Sequence, residues 1–123
     1  MCHLSFIYTA LSPTIIVTPP QPVVTVVADG VQHNTTFICT AVGDPTPHIS
    51  WMHNMQNVSQ NGRFQVMVTE YGRNRTSSTL TINSLTATDS GIIRCVANNS
   101  HGVDSADTTL SVLSEYFIVT RIA

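Results

Sequence analysis

Two cysteines and one tryptophan constrain this chain more than any other feature in it. Cys39 is followed by Trp51 and then, after a long interval, by Cys95. Each cysteine lies in a segment where apolar and polar residues alternate, the period of a strand with one buried face. Thr35, Phe37, Cys39 and Ala41 share one face of the first segment, and Ile93, Cys95, Ala97 and Asn99 share one face of the second. Ile49 and Trp51 point inward on a segment between them. A bridge between the two sulfurs, with the indole packed on it, suggests a two-sheet sandwich pinned through its middle. Closing so long a loop stabilises by roughly 4 kcal/mol in the chain-entropy picture.

The rest of the chain supplies strands of the same kind. Residues 13–22 hold Pro13, Pro19, Pro20 and Pro22, each without a backbone donor, so this stretch is an edge strand with a break. Ile15-Ile16-Val17 fits its first half and Val23–Val27 its continuation, with a turn at Asp29-Gly30. In the strand around Cys39, Asn34, Thr36, Ile38 and Thr40 face outward. Gly43–Pro47 is a proline loop. Met55–Gly62 reads as a polar loop with Asn61-Gly62 as its turn. Phe64, Val66 and Val68 share a face of the next strand, Tyr71–Asn74 turns, and Leu80 and Ile82 then point inward. Leu85–Ser90 is a connecting turn, Asn98–Gly102 another, and a last strand near Ser105–Leu113 buries Leu110 and Val112. Short strands with turn signals at roughly 8–12-residue spacing, and no helical period, give an all-β antiparallel sandwich.

Composition narrows the function classes. Only 10% of the 123 residues are charged, the net charge is −2 and the pI is about 6.1. The basic residues are Arg63, Arg73, Arg75, Arg94 and Arg121, with no lysine, so there is no footprint for nucleic acid. No run of about 18 apolar residues exists to span a membrane. No nucleophile elbow, phosphate loop or zinc signature appears, so neither catalysis nor a cofactor is expected. His48 and His53 lie five apart on one strand, face opposite ways and do not chelate together. His33 and His101 sit in or beside turns without ligand partners, and the histidines read as solvated.

Asn-x-Ser/Thr occurs at Asn34, Asn57, Asn74 and Asn98. Chance placement of these residue types gives roughly two such triplets, so four candidate N-glycosylation sites favour a secretory route. An oxidised Cys39–Cys95 pair favours it too. The alternative is a cytosolic domain of the same fold with free thiols. Met1–Ser12 is apolar but lacks a basic start and a clean cleavage site, and reads as a fragment end rather than a signal peptide. Cys2 has no evident partner; it is either an unpaired terminal residue or the site of an interchain bridge.

At these spacings the chain resembles the immunoglobulin superfamily, and within it the intermediate or I-set type. The matching residues are Gly43-x-Pro45-x-Pro47-x-Ile49-x-Trp51 after Cys39, then Leu80-x-Ile82, Leu85 and Asp89-x-Gly91. Cys95-x-Ala97-x-Asn99-x-x-Gly102 and Leu110-x-Val112 complete them. The resemblance covers about Thr14 to Leu113. It divides the chain into an irregular segment 1–13, a domain 14–113, and a stretch 114–123 that is either a tail or the start of a following module. It implies a Cys39–Cys95 disulfide between sheets, a core of Trp51, Leu80, Ile82 and Ile93, and an ion pair of Arg63 with Asp89. Ile93 stands where the family usually has a tyrosine, so the hydroxyl's hydrogen bond, worth roughly 1 kcal/mol, is missing. The turn into the Cys39 strand is longer than usual and contains His33 and Asn34.

The function implied is recognition of other proteins, homophilic contact or a neighbouring module included, at the cell surface or in the extracellular space. Adhesion molecules and receptors use such modules. The alternatives are a spacer in a tandem array and the ectodomain of a receptor kinase or phosphatase. The outward face of the Trp51 and Cys95 strands, His48, Ser50, Met52, Arg94 and Val96, is the candidate contact surface. The Asp44–Pro47 loop and the Asn98–Gly102 turn flank it. Glycans at Asn98 and Asn57 would crowd that face and move contacts to the edge strands.

Overall fold

The computed structural model describes residues 12–28, 31–60, 62–70 and 72–114. Nine strands follow one another: β1 Ser12–Thr18, β2 Val23–Val27, β3 Thr35–Asp44, β4 His48–His53 and β5 Gln56–Asn57. β6 Phe64–Glu70, β7 Arg75–Ile82, β8 Gly91–Asn99 and β9 Gly102–Ser114 complete them, with one short 3-10 turn at Ala87–Asp89. They form two sheets, one ordered β1-β3-β7-β6 and the other β2-β9-β8-β4-β5. All pairings are antiparallel except β2 on β9, which is parallel. The proline break at Pro19, Pro20 and Pro22 does more than interrupt an edge. It sends the two halves of the first strand to different sheets, β1 to β3 and β2 to β9. The Asp29-Gly30 turn, residues 1–11 with Cys2, and residues 115–123 lie outside the described residues.

Alternation builds the core. Phe37, Cys39 and Ala41 from β3 meet Ile49 and Trp51 from β4, Leu80 and Ile82 from β7, and Ile93, Cys95 and Ala97 from β8. Leu85, Leu110 and Val112 close its lower end. Cys39 and Cys95 are joined across the two sheets with Cα atoms 6.5 Å apart. The indole N–H of Trp51 donates to Ser78 Oγ at 2.9 Å inside the core. Ile93 is fully buried where the hydroxyl of a tyrosine would reach the nearby turn. That turn is tied otherwise: Val112 N–H donates to Ser90 Oγ at 2.9 Å, and Ser90 Oγ–H donates to Val112 O at 3.3 Å.

Several local expectations change. Thr40 is buried rather than outward-exposed, and its hydroxyl is hydrogen-bonded to Ser77 Oγ across the sheet at 3.1 Å. β3 runs on through Gly43 and Asp44, where β1 still pairs with it and Gly43 N–H reaches Asn74 O. The stretch read as a loop from Met55 contains β5, and the tight turn is Asn54-Met55, with φ of 50° and 68°. β9 begins at Gly102, earlier than the Ser105 expected. The long entry to β3 is not idle, since His33 O accepts from Leu85 N–H and Asn34 Oδ1 from Ser84 N–H.

Candidate functional site: an outer sheet face and two sequons

β4, β8 and β9 lie side by side in the middle of the five-stranded sheet, and their registers place the expected contact residues together. His48 sits opposite Asn98, Ser50 opposite Val96, and Met52 opposite Arg94. Cα partners of an antiparallel ladder project to the same side. All five residues, His48, Ser50, Met52, Arg94 and Val96, therefore share the outer face with Asn98. β9 extends that face with Val103, Ser105 and Asp107, opposite Asn98, Val96 and Arg94 respectively. β5 extends it on the other side, because Asn57 pairs with Met52.

The face is not a row of free side chains. Arg94 grips the Asp107 carboxylate in bidentate fashion, Nε to Oδ1 at 2.6 Å and Nη2 to Oδ2 at 2.9 Å. The hydrogen bond from Arg94 holds the Asp107 carboxyl below the usual aspartate range, and the same bond raises Arg94 above its ordinary value. Met52, Arg94 and Val96 are half-buried, whereas His48, Ser50, Val103 and Ser105 are exposed. Asp107 was the residue that sequence reading missed. The signal for it is the Asn99–Gly102 turn: counting outward from that turn pairs position 94 with position 107.

The four sequons spread around the molecule. Asn57 and Asn98 stand on this outer face at opposite ends of β4, both exposed. Asn34 is exposed at the start of β3, and Asn74 is half-buried in the β6–β7 turn with φ of 65°. Thr76, the hydroxyl residue of the Asn74 sequon, is buried and donates to Pro47 O at 2.8 Å.

Arg63 and Asp89 lie at the lower end, away from that face. Arg63 Nη2 is 2.5 Å from Asp89 Oδ2, and the carboxylate also accepts the Thr86 N–H at 2.9 Å. Asp89 is buried, whereas the Arg63 side chain remains 44% exposed and lies over the Phe64 ring. His53 is not a solvated histidine. Its Nε2 bonds Asp89 O at 2.8 Å and its ring packs near Phe64. Among the described residues no group of three His, Cys, Asp or Glu gathers in a way that could hold a metal ion. No helix of the described residues is long and apolar enough to cross a membrane.

Comparison with known proteins agrees with this architecture. Residues 15–112 match the family described as Immunoglobulin I-set domain. Titin of Drosophila melanogaster is 31% identical over 85 residues, covering 69% of this chain and 0% of its own length to the nearest per cent. A Xenopus laevis protein named cell adhesion molecule-related/down-regulated by oncogenes is 36% identical over 69 residues, 56% of this chain and 5% of its own. The chain thus spans only a small part of the curated relatives it matches. Among solved structures, the N-terminal eight Ig domains of Down Syndrome Cell Adhesion Molecule superpose with a TM-score of 0.74 at 28% identity. That match covers 83% of this chain and 13% of the other.

Proposed function

The chain belongs to the immunoglobulin I-set family, and from that premise we propose that it is an extracellular module for protein–protein recognition in cell adhesion or in a cell-surface receptor. The observation that carries this reading is the buried Cys39–Cys95 bridge in a chain with two exposed sequons on one sheet face. A bridge of that kind persists in oxidising compartments, and N-linked glycans are added on the secretory route. The adhesion-named relative and structural neighbour support the same reading.

The contact surface we assign is the outer face of β4, β8 and β9, with Ser50, Val96 and Val103 as its neutral centre. The Arg94–Asp107 pair serves there as a fixed, internally neutralised element, so a partner meets little unpaired charge. The titin relative supports a second reading, in which the domain sets distance and stiffness in an array.

Multimers of the chain applied to a panel of animal cells separate the two. Recognition through this face gives staining that Val96→Asp abolishes while the fold survives. A spacer gives none on any cell, and that result would sink the recognition reading. Glycopeptide mapping adds a condition: sugar on both Asn57 and Asn98 closes the face and shifts the contact to the other sheet.

A further inference from the structure

The long entry to β3 ends on a sequon, Asn34-Thr35-Thr36. Asn34 and Thr36 are both exposed, whereas the Asn74 sequon has a half-buried asparagine and a buried hydroxyl residue. Asn34 also differs from the other exposed sequon asparagines in being held. Ser84 N–H donates to its Oδ1 at 3.3 Å, and His33 O beside it accepts from Leu85 N–H at 2.9 Å. Among the described residues no side-chain hydrogen bond orients Asn57 or Asn98. A backbone N–H meets only the oxygen of an amide, so Asn34 Nδ2, the atom that carries an N-linked sugar, stays free. From Asn34 the strand runs along a groove. Phe37 and Cys39 face the core, so Asn34, Thr36 and Ile38 share the outer side. Thr36 and Ile38 form one wall of a groove of about 270 Å³. Thr18, Pro19, Gln21 and Val23, where the chain crosses from β1 to β2, form the other. No charged side chain is among its described lining residues. Ile38 is 50% exposed. At about 3.4 Å per residue, Thr36 lies about 7 Å and Ile38 about 14 Å along the strand from Asn34.

We propose that Asn34 carries an N-linked glycan whose first sugars lie in this groove. The chemistry of the two matches. These sugars are uncharged, with apolar C–H faces and with hydroxyl and acetamido groups at the rim. Pro19, Val23 and Ile38 offer apolar contact, and Thr18, Gln21 and Thr36 offer hydrogen bonds. A charged ligand finds no counter-charge here, and a wholly apolar one leaves the hydroxyls and the amide unused. Attachment supplies the rest. A tethered sugar meets the groove at high effective concentration, so weak contacts suffice. The held amide lessens the freedom lost on seating. Seated there, the glycan ties β3 to the β1–β2 crossing and closes the lower part of this sheet, leaving the outer face of β4, β8 and β9 to a partner. The inference rests on the secretory part of the reading above.

The full chain, secreted from animal cells behind a signal peptide, tests it in a background of Ser59→Ala, Asn74→Gly and Ser100→Ala. That background keeps only the Asn34 sequon, and glycine suits the positive φ of position 74. The bare form comes from the same cells with glycan transfer blocked. Glycopeptide mapping should find Asn34 occupied, and the glycosylated chain should melt about 4 °C above the bare one. Ile38→Ser should lose about half or more of that difference without changing occupancy. Ile92→Ser, at a residue of similar exposure (42%) on β8, should keep it. Comparing the glycosylated and bare forms of each variant cancels the variant's own effect on the fold. Asn34 found bare, equal midpoints, or a difference that Ile38→Ser leaves intact overturns the proposal. Secretion is imposed in this experiment, so none of these results touches the recognition reading, which the Val96→Asp staining decides.

Discussion

The indole of Trp51 carries the one polar group on an otherwise apolar buried ring, and Ser78 is where it goes. Ser78→Ala leaves that N–H buried without an acceptor, which costs about 1–3 kcal/mol. Urea denaturation measures it, and an unchanged midpoint would mean that the ring relaxes to another acceptor. The Arg94–Asp107 pair behaves differently because both partners meet solvent. Asp107 is depressed in the folded chain, chiefly by the hydrogen bond from Arg94. Its contribution to stability is therefore present above its unfolded value and is lost as pH falls through the folded value. An exposed pair of this kind is screened by salt, so the effect on stability is small. The informative measurement is the titration itself. Carboxyl NMR should place the Asp107 midpoint below the ordinary aspartate range in the native chain, and Arg94→Gln should raise it toward that range. No rise would mean that something other than the guanidinium holds the carboxylate.

At the scale of elements, the Asn54-Met55 turn between β4 and β5 shows how local chemistry and sheet register are linked. Both residues sit at positive φ, the conformation of a two-residue hairpin turn that usually takes Asn-Gly. Asn54 suits it, and its side chain does more: Oδ1 accepts the Ile92 N–H at 2.9 Å, and the amide fills the space over Gly91. Met55 has no such excuse at φ of 68°. Met55→Gly should stabilise by about 0.5–1 kcal/mol, since relief of the left-handed strain exceeds the added chain entropy. A loss of stability would show that the exposed Met55 side chain packs on something that matters. The same turn marks the limit of sequence reading. Alternation around Cys39, Trp51 and Cys95 exposed the strands that face the core, and so also the outward face with His48, Ser50 and Val96. It did not expose β5, which has two residues and no buried side chain to register a period. Nor could it set where β9 begins, because Gly102–Asp104 is held by pairing across the turn and not by burial. Thr40 escaped as well: alternation assigns it to solvent, yet it is buried and its hydroxyl meets Ser77 Oγ on the neighbouring strand.

At the scale of the whole molecule, the two sheets share little backbone, and side chains between them carry the fold. Three ties cross that layer in sequence-distant pairs: Cys39 to Cys95, Trp51 to Ser78, and the Asp104 carboxylate to Ile16 N–H. Asn99 adds a fourth at the upper pole, where its Nδ2 donates to Ser12 O and Pro45 O, each at 2.9 Å. Of these only the disulfide also restrains the unfolded chain, by closing a loop with a sequence separation of 56. Its removal should therefore act mainly on the unfolded ensemble, at a cost of about 4 kcal/mol. Set against the 5–15 kcal/mol typical of a domain, that leaves a fold that is marginal but still formed, because the thirteen-residue core remains. The paired substitution Cys39→Ala with Cys95→Val keeps much of the volume and separates the crosslink from the packing. Chemical denaturation of this variant and of the native chain under reducing and non-reducing conditions gives the comparison. The variant and the reduced native chain should lose similar stability. If the variant is far less stable than the reduced protein, the sulfurs contribute through packing rather than through the loop they close.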